Sequence, residues 1–199
     1  MTSRIDTILD KALTGGSLTA DEGYRLTHCS GDEVGTLFEA AGLLRDSFKG
    51  KTITYSRKIF LPVTNLCRDR CSYCTFRKDP DDPDAWTMTP GEIGSTLDRG
   101  REQGCKEALM CLGDKPELAF PQYRETLAGF GHRTTAGYVY EACEMAIGRG
   151  FLPHTNAGVL SFDEMKLLKP VNASLGLMLE NVSPRLSSRG MPHFSAPDK

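Results

Sequence analysis

The spacing of hydrophobic residues changes near residue 50, and the change separates two kinds of predicted structure. Before it, apolar positions follow helical spacing, interrupted at 15–16 and 30–31 by glycine-containing pairs that typically end helices. Thr19 and Glu22 have the spacing of a capping box, which satisfies the free amides at a helix start. We therefore predict a helical N-terminal segment over residues 1–50, with helices at 3–13, 19–29 and 32–48.

From residue 52 onward the pattern is that of strands alternating with helices. The segment 52–64 is rich in β-branched and aromatic residues, and Pro62 lies near its end, where a missing amide does least harm. Further on, Thr89 followed by Pro90 is typical of a helix start. The predicted strands are 52–64, 107–112, 151–155 and 173–179, and the predicted helices between them are 90–103, 121–130, 135–149 and 161–169.

This alternation predicts the fold class. Strands that alternate with helices favour a parallel sheet with right-handed crossovers, an α/β fold, and in barrels of this kind the chemistry collects at the carboxyl ends of the strands. We predict a partial (β/α) barrel of about four βα units over 51–184, preceded by short helices. Four strands cannot close a barrel, so we expect a partner chain or a longer polypeptide. We favour the longer polypeptide, cut within the polar tail 185–199.

The composition excludes several classes of partner. With 199 residues, 39% of them hydrophobic and 25% charged, the chain has the profile of a soluble globular protein with one sizeable core. The net charge of -2 comes from interspersed acids and bases, so there is no basic field for nucleic acid or an anionic membrane. The sequence also lacks a spanning segment and a secretory signal. We therefore expect a cytoplasmic protein with neither a nucleic-acid nor a membrane partner.

Three of the seven cysteines lie within eight positions. Cys67, Cys71 and Cys74 are spaced C-x3-C-x2-C directly after the first predicted strand. An odd number of cysteines, with three of them crowded together, fits a reducing compartment and metal ligation better than a disulfide framework. The scattered cysteines are expected to be plain buried thiols, and they are Cys29, Cys105, Cys111 and Cys143.

The cysteine loop restricts the metal that it can hold. A structural zinc site needs four protein ligands, and the sequence offers no convincing fourth ligand nearby. A ferredoxin-type cluster also takes four thiolates. Three thiolates would leave one iron of a [4Fe-4S] cluster open to a further ligand. We therefore expect such a cluster on Cys67, Cys71 and Cys74, with a zinc knuckle and chance clustering as the alternatives.

The cysteine loop and its flanks resemble a known family. The C-x3-C-x2-C motif, with an aromatic residue before its last cysteine, resembles the radical SAM superfamily, whose fold is a partial (β/α)6 barrel. Over about residues 18–184 the chain further resembles FO synthase, and the Arg-Asp-Arg between the first two cysteines favours its ring-closing subunit or the first half of the fused enzyme. The stretches that carry this resemblance are ITYSRKIFLPVTNLCRDRCSYCTF, KEALMCLGDKPE, LPHTNAGVLSFDEM and LKPVNASLGLMLE.

The resemblance implies a lyase of coenzyme F420 biosynthesis. Such an enzyme uses a [4Fe-4S] cluster and S-adenosylmethionine (SAM) to generate a 5'-deoxyadenosyl radical, for ring closure to 7,8-didemethyl-8-hydroxy-5-deazariboflavin (FO) with loss of ammonia. The implied substrate is an adduct of tyrosine and a ribitylamino-uracil precursor, and the implied partners are a second radical SAM unit and an electron donor. The alternatives are a radical SAM enzyme of menaquinone or thiamine biosynthesis, or an inactive metal-binding fragment. No catalytic residue is assigned.

The resemblance also implies residues that contact SAM. Tyr73, beside Cys74, would pack against the adenine. Gly113 and Glu117, in the Gly-Asp-Lys-Pro-Glu segment after the second predicted strand, would hold the amino group, because glycine allows close approach and a carboxylate suits an amine.

Three further polar residues are implied to contact SAM or substrate. Ser174 and Glu180 bracket the fourth predicted strand, and their spacing would place them on one face of an extended segment, where they would bind the carboxylate and ribose of SAM. Asn156 would hydrogen-bond SAM or substrate, although asparagine before Ala-Gly is also good turn chemistry.

Overall fold

The chain divides after Tyr55 into two units in the computed structural model, which describes residues 4–180 and 182–196. The predicted helix start at Ser3 and the end of the predicted tail, 197–199, lie outside the described residues. The first unit is helical, as predicted, and Thr19 and Glu22 form the predicted capping box. Its helices are α1 (Arg4–Leu13), α2 (Ala20–Thr27) and α3 (Asp32–Lys49).

The second unit, from Ser56 onward, is built on a parallel four-stranded sheet. Its elements are β1 (Lys58–Phe60), α4 (Pro90–Glu102), β2 (Glu107–Leu112), α5 (Pro116–Ala119), α6 (Pro121–Gly129), α7 (Thr135–Ile147), β3 (Leu152–Ala157), α8 (Phe162–Leu168) and β4 (Ser174–Leu175), with 3-10 turns at Lys169–Val171 and Pro184–Ser187. The spatial order of the strands equals their chain order. Every crossover therefore steps in the same direction, as in a βα barrel and unlike a doubly wound sheet, whose order reverses. The predicted α/β fold with a partial barrel is confirmed.

The two faces of this sheet have different surroundings. On β2, Ala108, Met110 and Leu112 are buried, whereas the alternate residues are only partly buried, and β3 repeats this pattern in register. Helices α4 and α7 pack against the buried side, which we call the covered face, and bury apolar residues such as Leu97 and Val139 there. The other side, which we call the open face, presents partly exposed side chains. This division follows from the two-residue period of a strand.

The two outer strands are shorter than the sequence predicts. Strand β1 has three residues instead of the segment 52–64, because the residues before it are exposed and Pro62 has no amide to continue the ladder. Strand β4 has two residues instead of the segment 173–179. After it the chain leaves the sheet, and Glu180 takes a left-handed backbone with a φ of 66°. The prediction that Ser174 and Glu180 share one face of an extended strand is therefore wrong.

Candidate cofactor site

A cavity of about 340 Å³ lies where the carboxyl ends of the four strands meet. Its wall contains all three clustered cysteines, Cys67, Cys71 and Cys74. Phe60 and Cys111, both on the open face of the sheet, also line it. The cavity thus lies at the edge of the sheet where βα folds place their chemistry.

The loop that carries the cysteines is held by a buried asparagine at its start. The Asn65 side-chain amide donates to the carbonyl of Asp84 at 2.8 Å, and its side-chain oxygen accepts from the amide of Trp86 at 2.8 Å. The Asn65 carbonyl also accepts from the amide of Lys78, at the far end of the loop, at 2.9 Å. Both ends of the loop are therefore fixed. Asn65 was not among the predicted site residues, and its only sequence signal is its position at the end of a strand.

Residue 113 must be a glycine because it lies in direct contact with Cys67, the first cysteine of the motif. A Cβ atom at this position would lie 2.4 Å from the Cβ of Cys67 and 2.6 Å from its sulfur, closer than real atoms approach. The next residue, Asp114, donates its amide to the Cys67 sulfur at 3.1 Å, and its carbonyl accepts from the amide of Arg68 at 3.0 Å. The loop after β2 therefore lies directly against the cysteine loop, as only glycine permits.

The Asp114 side chain connects three loops at this end of the sheet. Its buried carboxylate pairs with the Arg68 guanidinium of the cysteine loop and accepts from the amide of Val159, after β3, at 2.8 Å. Gly158 has a φ of 71°, and a Cβ there would lie 2.2 Å from the Asp114 carboxylate. Asp114 and Gly158 both line the cavity, and neither is among the predicted site residues. The signal that could have found them is a Gly-Asp pair and an Ala-Gly pair at the ends of adjacent strands.

Glu117 is buried away from the cavity wall. Its carboxylate accepts from the backbone amide of Thr135 at 3.0 Å and from the Thr135 hydroxyl at 2.5 Å, at the first residue of α7. A carboxylate is favourable at a helix N-terminus, where the backbone amides have no other partners. The structure therefore gives Glu117 a helix-capping position outside the cavity wall, and its contact with SAM stays a prediction. Asp114, three residues earlier in the same segment, does line the cavity.

The remaining predicted residues fall in two places. Tyr73 and Glu180 line the cavity with the cysteines. Ser174 lies on the open face, where its hydroxyl is 2.5 Å from Nδ1 of His154. Asn156 is aligned with Cys111 of β2, and its side-chain oxygen is buried without a hydrogen-bond partner among the described residues. The structure thus brings Tyr73, Gly113 and Glu180 to the cysteines, and leaves Ser174 and Asn156 outside the cavity wall.

The Cys67 thiol and the Tyr73 hydroxyl of the wall do not ionise readily by themselves. Burial raises the pKa of the Cys67 thiol, and the amide of Asp114 opposes that effect. Partial burial, followed by the negative charge of Cys71 and Glu180, raises the pKa of Tyr73 to about 12. A buried thiol of this kind becomes a thiolate when a metal supplies positive charge.

The donor set fits an iron-sulfur cluster. Three cysteine sulfurs face one cavity, and cysteine thiolates are the ligands of such clusters. Gly113 leaves room for the first of them, and the Asp114 amide provides a hydrogen bond to its sulfur. The residues that would hold the cluster are therefore Cys67, Cys71 and Cys74.

The sequence defines the class of protein to which this fold and site belong. Residues 61–194 match the sequence profile of the Radical SAM superfamily. The match covers more than half of the chain and contains the cysteine loop and strands β2, β3 and β4. The chain belongs to the radical SAM superfamily.

Particular members of that superfamily are similar over much of the chain. It is 41% identical to the FO synthase of Mycobacterium tuberculosis over 99% of its own length, and it covers 25% of that protein. It is 48% identical to the 7,8-didemethyl-8-hydroxy-5-deazariboflavin synthase of Methanococcoides burtonii over 66% of its length, and it covers 39% of that protein. The chain therefore spans between a quarter and two fifths of the length of these relatives.

The fold is also found in solved structures. The [FeFe]-hydrogenase maturase HydG aligns with 87% of this chain at a TM-score of 0.69 and 18% identity, over 36% of its own length. The HydG of Carboxydothermus hydrogenoformans aligns with 86% at a TM-score of 0.63 and 21% identity, over 37% of its length. At these identities the likeness concerns the fold.

Among the helices that the structure describes, none has the length and apolar character needed to cross a membrane.

Proposed function

We propose that this chain carries the cluster and SAM site of an FO synthase of the ring-closing type. The observation that carries the proposal is that Cys67, Cys71 and Cys74 all line one cavity at the carboxyl ends of the strands. Support for the product comes from the relatives, which are named FO synthase and 7,8-didemethyl-8-hydroxy-5-deazariboflavin synthase. The Arg-Asp-Arg sequence between the first two cysteines supports the ring-closing unit.

The chain's own residues would hold and orient the cofactors. When bound, a [4Fe-4S] cluster and SAM supply an electron and a 5'-deoxyadenosyl radical. The three cysteines would bind three irons and leave the fourth without a protein ligand. Asp114 keeps the cysteine loop in place through Arg68 and Val159, and this fixed position limits the geometries that a bound SAM can adopt.

Two cavity residues are suited to contact SAM itself. Tyr73 presents an aromatic ring beside the cysteines, half exposed, which suits stacking on adenine. Glu180 presents a carboxylate to the same space. Asn156, with an unpartnered buried oxygen, and Ser174 would face ligand from the open face of the sheet.

The substrate and partners follow from the same proposal. The substrate would be the adduct of tyrosine and a ribitylamino-uracil precursor, whose ring closure releases ammonia. The adduct would come from a partner radical SAM unit, and the electron would come from a cytoplasmic donor. A reducing compartment agrees with the absence of a disulfide bond among the cysteines of the described residues.

The test is product formation by the chain after anaerobic reconstitution with iron and sulfide. The reconstituted chain is incubated with SAM, dithionite and the adduct, and 5'-deoxyadenosine and fluorescent FO are measured, with Cys74→Ala as the inactive control. We expect both products from the parental chain and neither from the variant. Formation of 5'-deoxyadenosine without FO would contradict the assignment to FO synthase. Absence of both products would contradict the proposal as a whole.

A further inference from the structure

The segment 184–196, which we call the closing segment, lies over the cysteine loop. The amide of Ser72 donates to the carbonyl of Pro192 at 3.0 Å, and the amide of Arg70 donates to the hydroxyl of Ser195. Both donors are backbone amides of the cysteine loop, at positions between its first and last cysteines. The closing segment is therefore attached to the part of the loop that carries the cluster ligands, although more than one hundred residues separate the two in sequence.

The closing segment places one buried histidine between a cysteine and a tyrosine of the cavity wall. His193 is 7% exposed, and its backbone amide donates to the carbonyl of Leu186 at 2.9 Å, which fixes its position within the segment. Its ring meets the Tyr73 ring edge-on, with centroids 5.1 Å apart and planes at 68°. Nδ1 lies 3.9 Å from the sulfur of Cys71, and Nε2 lies 3.4 Å from the hydroxyl of Tyr73.

The chemistry of these groups fixes which of them donates. A cysteine sulfur bound to iron has no proton and can only accept a hydrogen bond. The neutral imidazole must then carry its proton on Nδ1, facing Cys71, and Nε2 becomes an acceptor. Nε2 faces the Tyr73 hydroxyl, which can donate to it. Cys71 therefore selects the tautomer of His193 that carries its proton on Nδ1, in the way that outer partners orient groups around a metal.

We propose that His193 is a positioning residue that donates a hydrogen bond from Nδ1 to the Cys71 sulfur when that sulfur binds iron. This inference rests on the cluster site of the proposed function. Hydrogen bonds to cluster sulfurs stabilise the more negative, reduced state and raise the reduction potential. His193 therefore makes the cluster easier to reduce, and the closing segment connects this property to a part of the chain that contributes no cluster ligand.

Variants of His193 separate this role from a purely structural one. In His193→Asn the amide nitrogen can take the place of Nδ1, in His193→Gln it lies nearer the place of Nε2, and His193→Phe offers no donor. Phe194→Ala, at an exposed neighbouring position, is the matched control. Each chain is reconstituted anaerobically, its iron is counted, and its reduction potential is measured without SAM by a redox titration followed by electron paramagnetic resonance.

We expect the potential to become more negative in His193→Phe and His193→Gln, and to return toward the parental value in His193→Asn. Phe194→Ala should leave it unchanged. Equal potentials in all the chains would overturn the inference, as would a His193→Asn potential no closer to the parental one than that of His193→Gln. If His193→Phe assembles no cluster, the comparison of Asn with Gln still decides. A parental chain without a cluster would instead overturn the proposed function, so the two failures are distinct.

Discussion

The covered and open faces of the sheet differ in what their side chains do. On the covered face, Met110 of β2 and Thr155 of β3 are fully buried beneath the helices. On the open face, Cys111 and His154 of the same strands remain partly exposed, and Cys111 reaches the cavity. Strand residues alternate between the two faces. One residue of each successive pair therefore contributes to the stability of the core, and the next one faces the side of the sheet that carries the site. The loops at the carboxyl ends then extend the open face into the cavity.

The largest effect should come from a substitution that fills the space between the cysteine loop and the loop after β2. Gly113→Ala would push a methyl group into Cys67, so the cysteine loop must move. We expect the variant to lose most of its iron after reconstitution while its circular dichroism stays close to that of the parent. Gly129→Ala, where a Cβ meets nothing within 4 Å, is the control and should keep its iron. Full iron in Gly113→Ala would show that the close contact is not needed for the site.

The second effect compares neighbours on the two faces. Met110→Ala leaves a cavity in the core and should lower the free energy of unfolding by about 2–5 kcal/mol. Cys111→Ala removes a partly exposed group and should cost no more than about 1 kcal/mol. Urea unfolding of the two variants measures the difference. Similar losses of unfolding free energy in the two variants would mean that the covered face contributes no more to stability than the open face.

The third effect compares two acids of one loop. Asp114→Asn removes the charge that pairs with Arg68, and we expect it to cost about 1.5–3 kcal/mol and to weaken SAM binding. Glu117→Gln weakens only the contact with the start of α7, and we expect a loss of about 1 kcal/mol with SAM affinity unchanged. Equilibrium dialysis against labelled SAM measures the affinity. A lower SAM affinity in Glu117→Gln would show that Glu117 contributes to SAM binding, as predicted from the sequence.

The smallest effect compares two hydroxyls, one on each face. Thr155→Val removes the buried donor to the Asn172 side chain, a hydrogen bond of 2.8 Å, and should cost about 1–3 kcal/mol. Ser174→Ala removes the exposed partner of His154 and should cost less than about 1 kcal/mol. Thermal unfolding in parallel ranks the two variants. An equal or larger loss in Ser174→Ala would contradict the assignment of stability to the covered face.

Local sequence patterns were sufficient for much of the second unit. Strand β2 has the predicted bounds, and α4 and α8 start at the predicted caps, because capping residues and apolar runs act within a few positions. The outer strands were predicted too long, because β propensity does not report how many residues find a partner in the sheet. The number of paired residues in an outer strand depends on how far the neighbouring strand extends beside it.

Two features of the site depend on contacts between residues that are distant in sequence. The prediction for Glu117 did not take account of Lys115, which adopts a left-handed backbone and starts the short helix α5, so that Glu117 lies against Thr135. The closing segment has no periodicity, yet its His193 lies beside Cys71. Contacts across such separations are fixed by the fold and leave no pattern in the neighbouring residues.

The most direct test of the account is electron paramagnetic resonance of the anaerobically reconstituted and reduced chain, with and without SAM. The central claim is that Cys67, Cys71 and Cys74 hold a [4Fe-4S] cluster with one iron open to SAM. We expect a reduced [4Fe-4S] signal that changes when SAM is added. Zinc in place of iron, or a cluster signal that is the same with and without SAM, would contradict it.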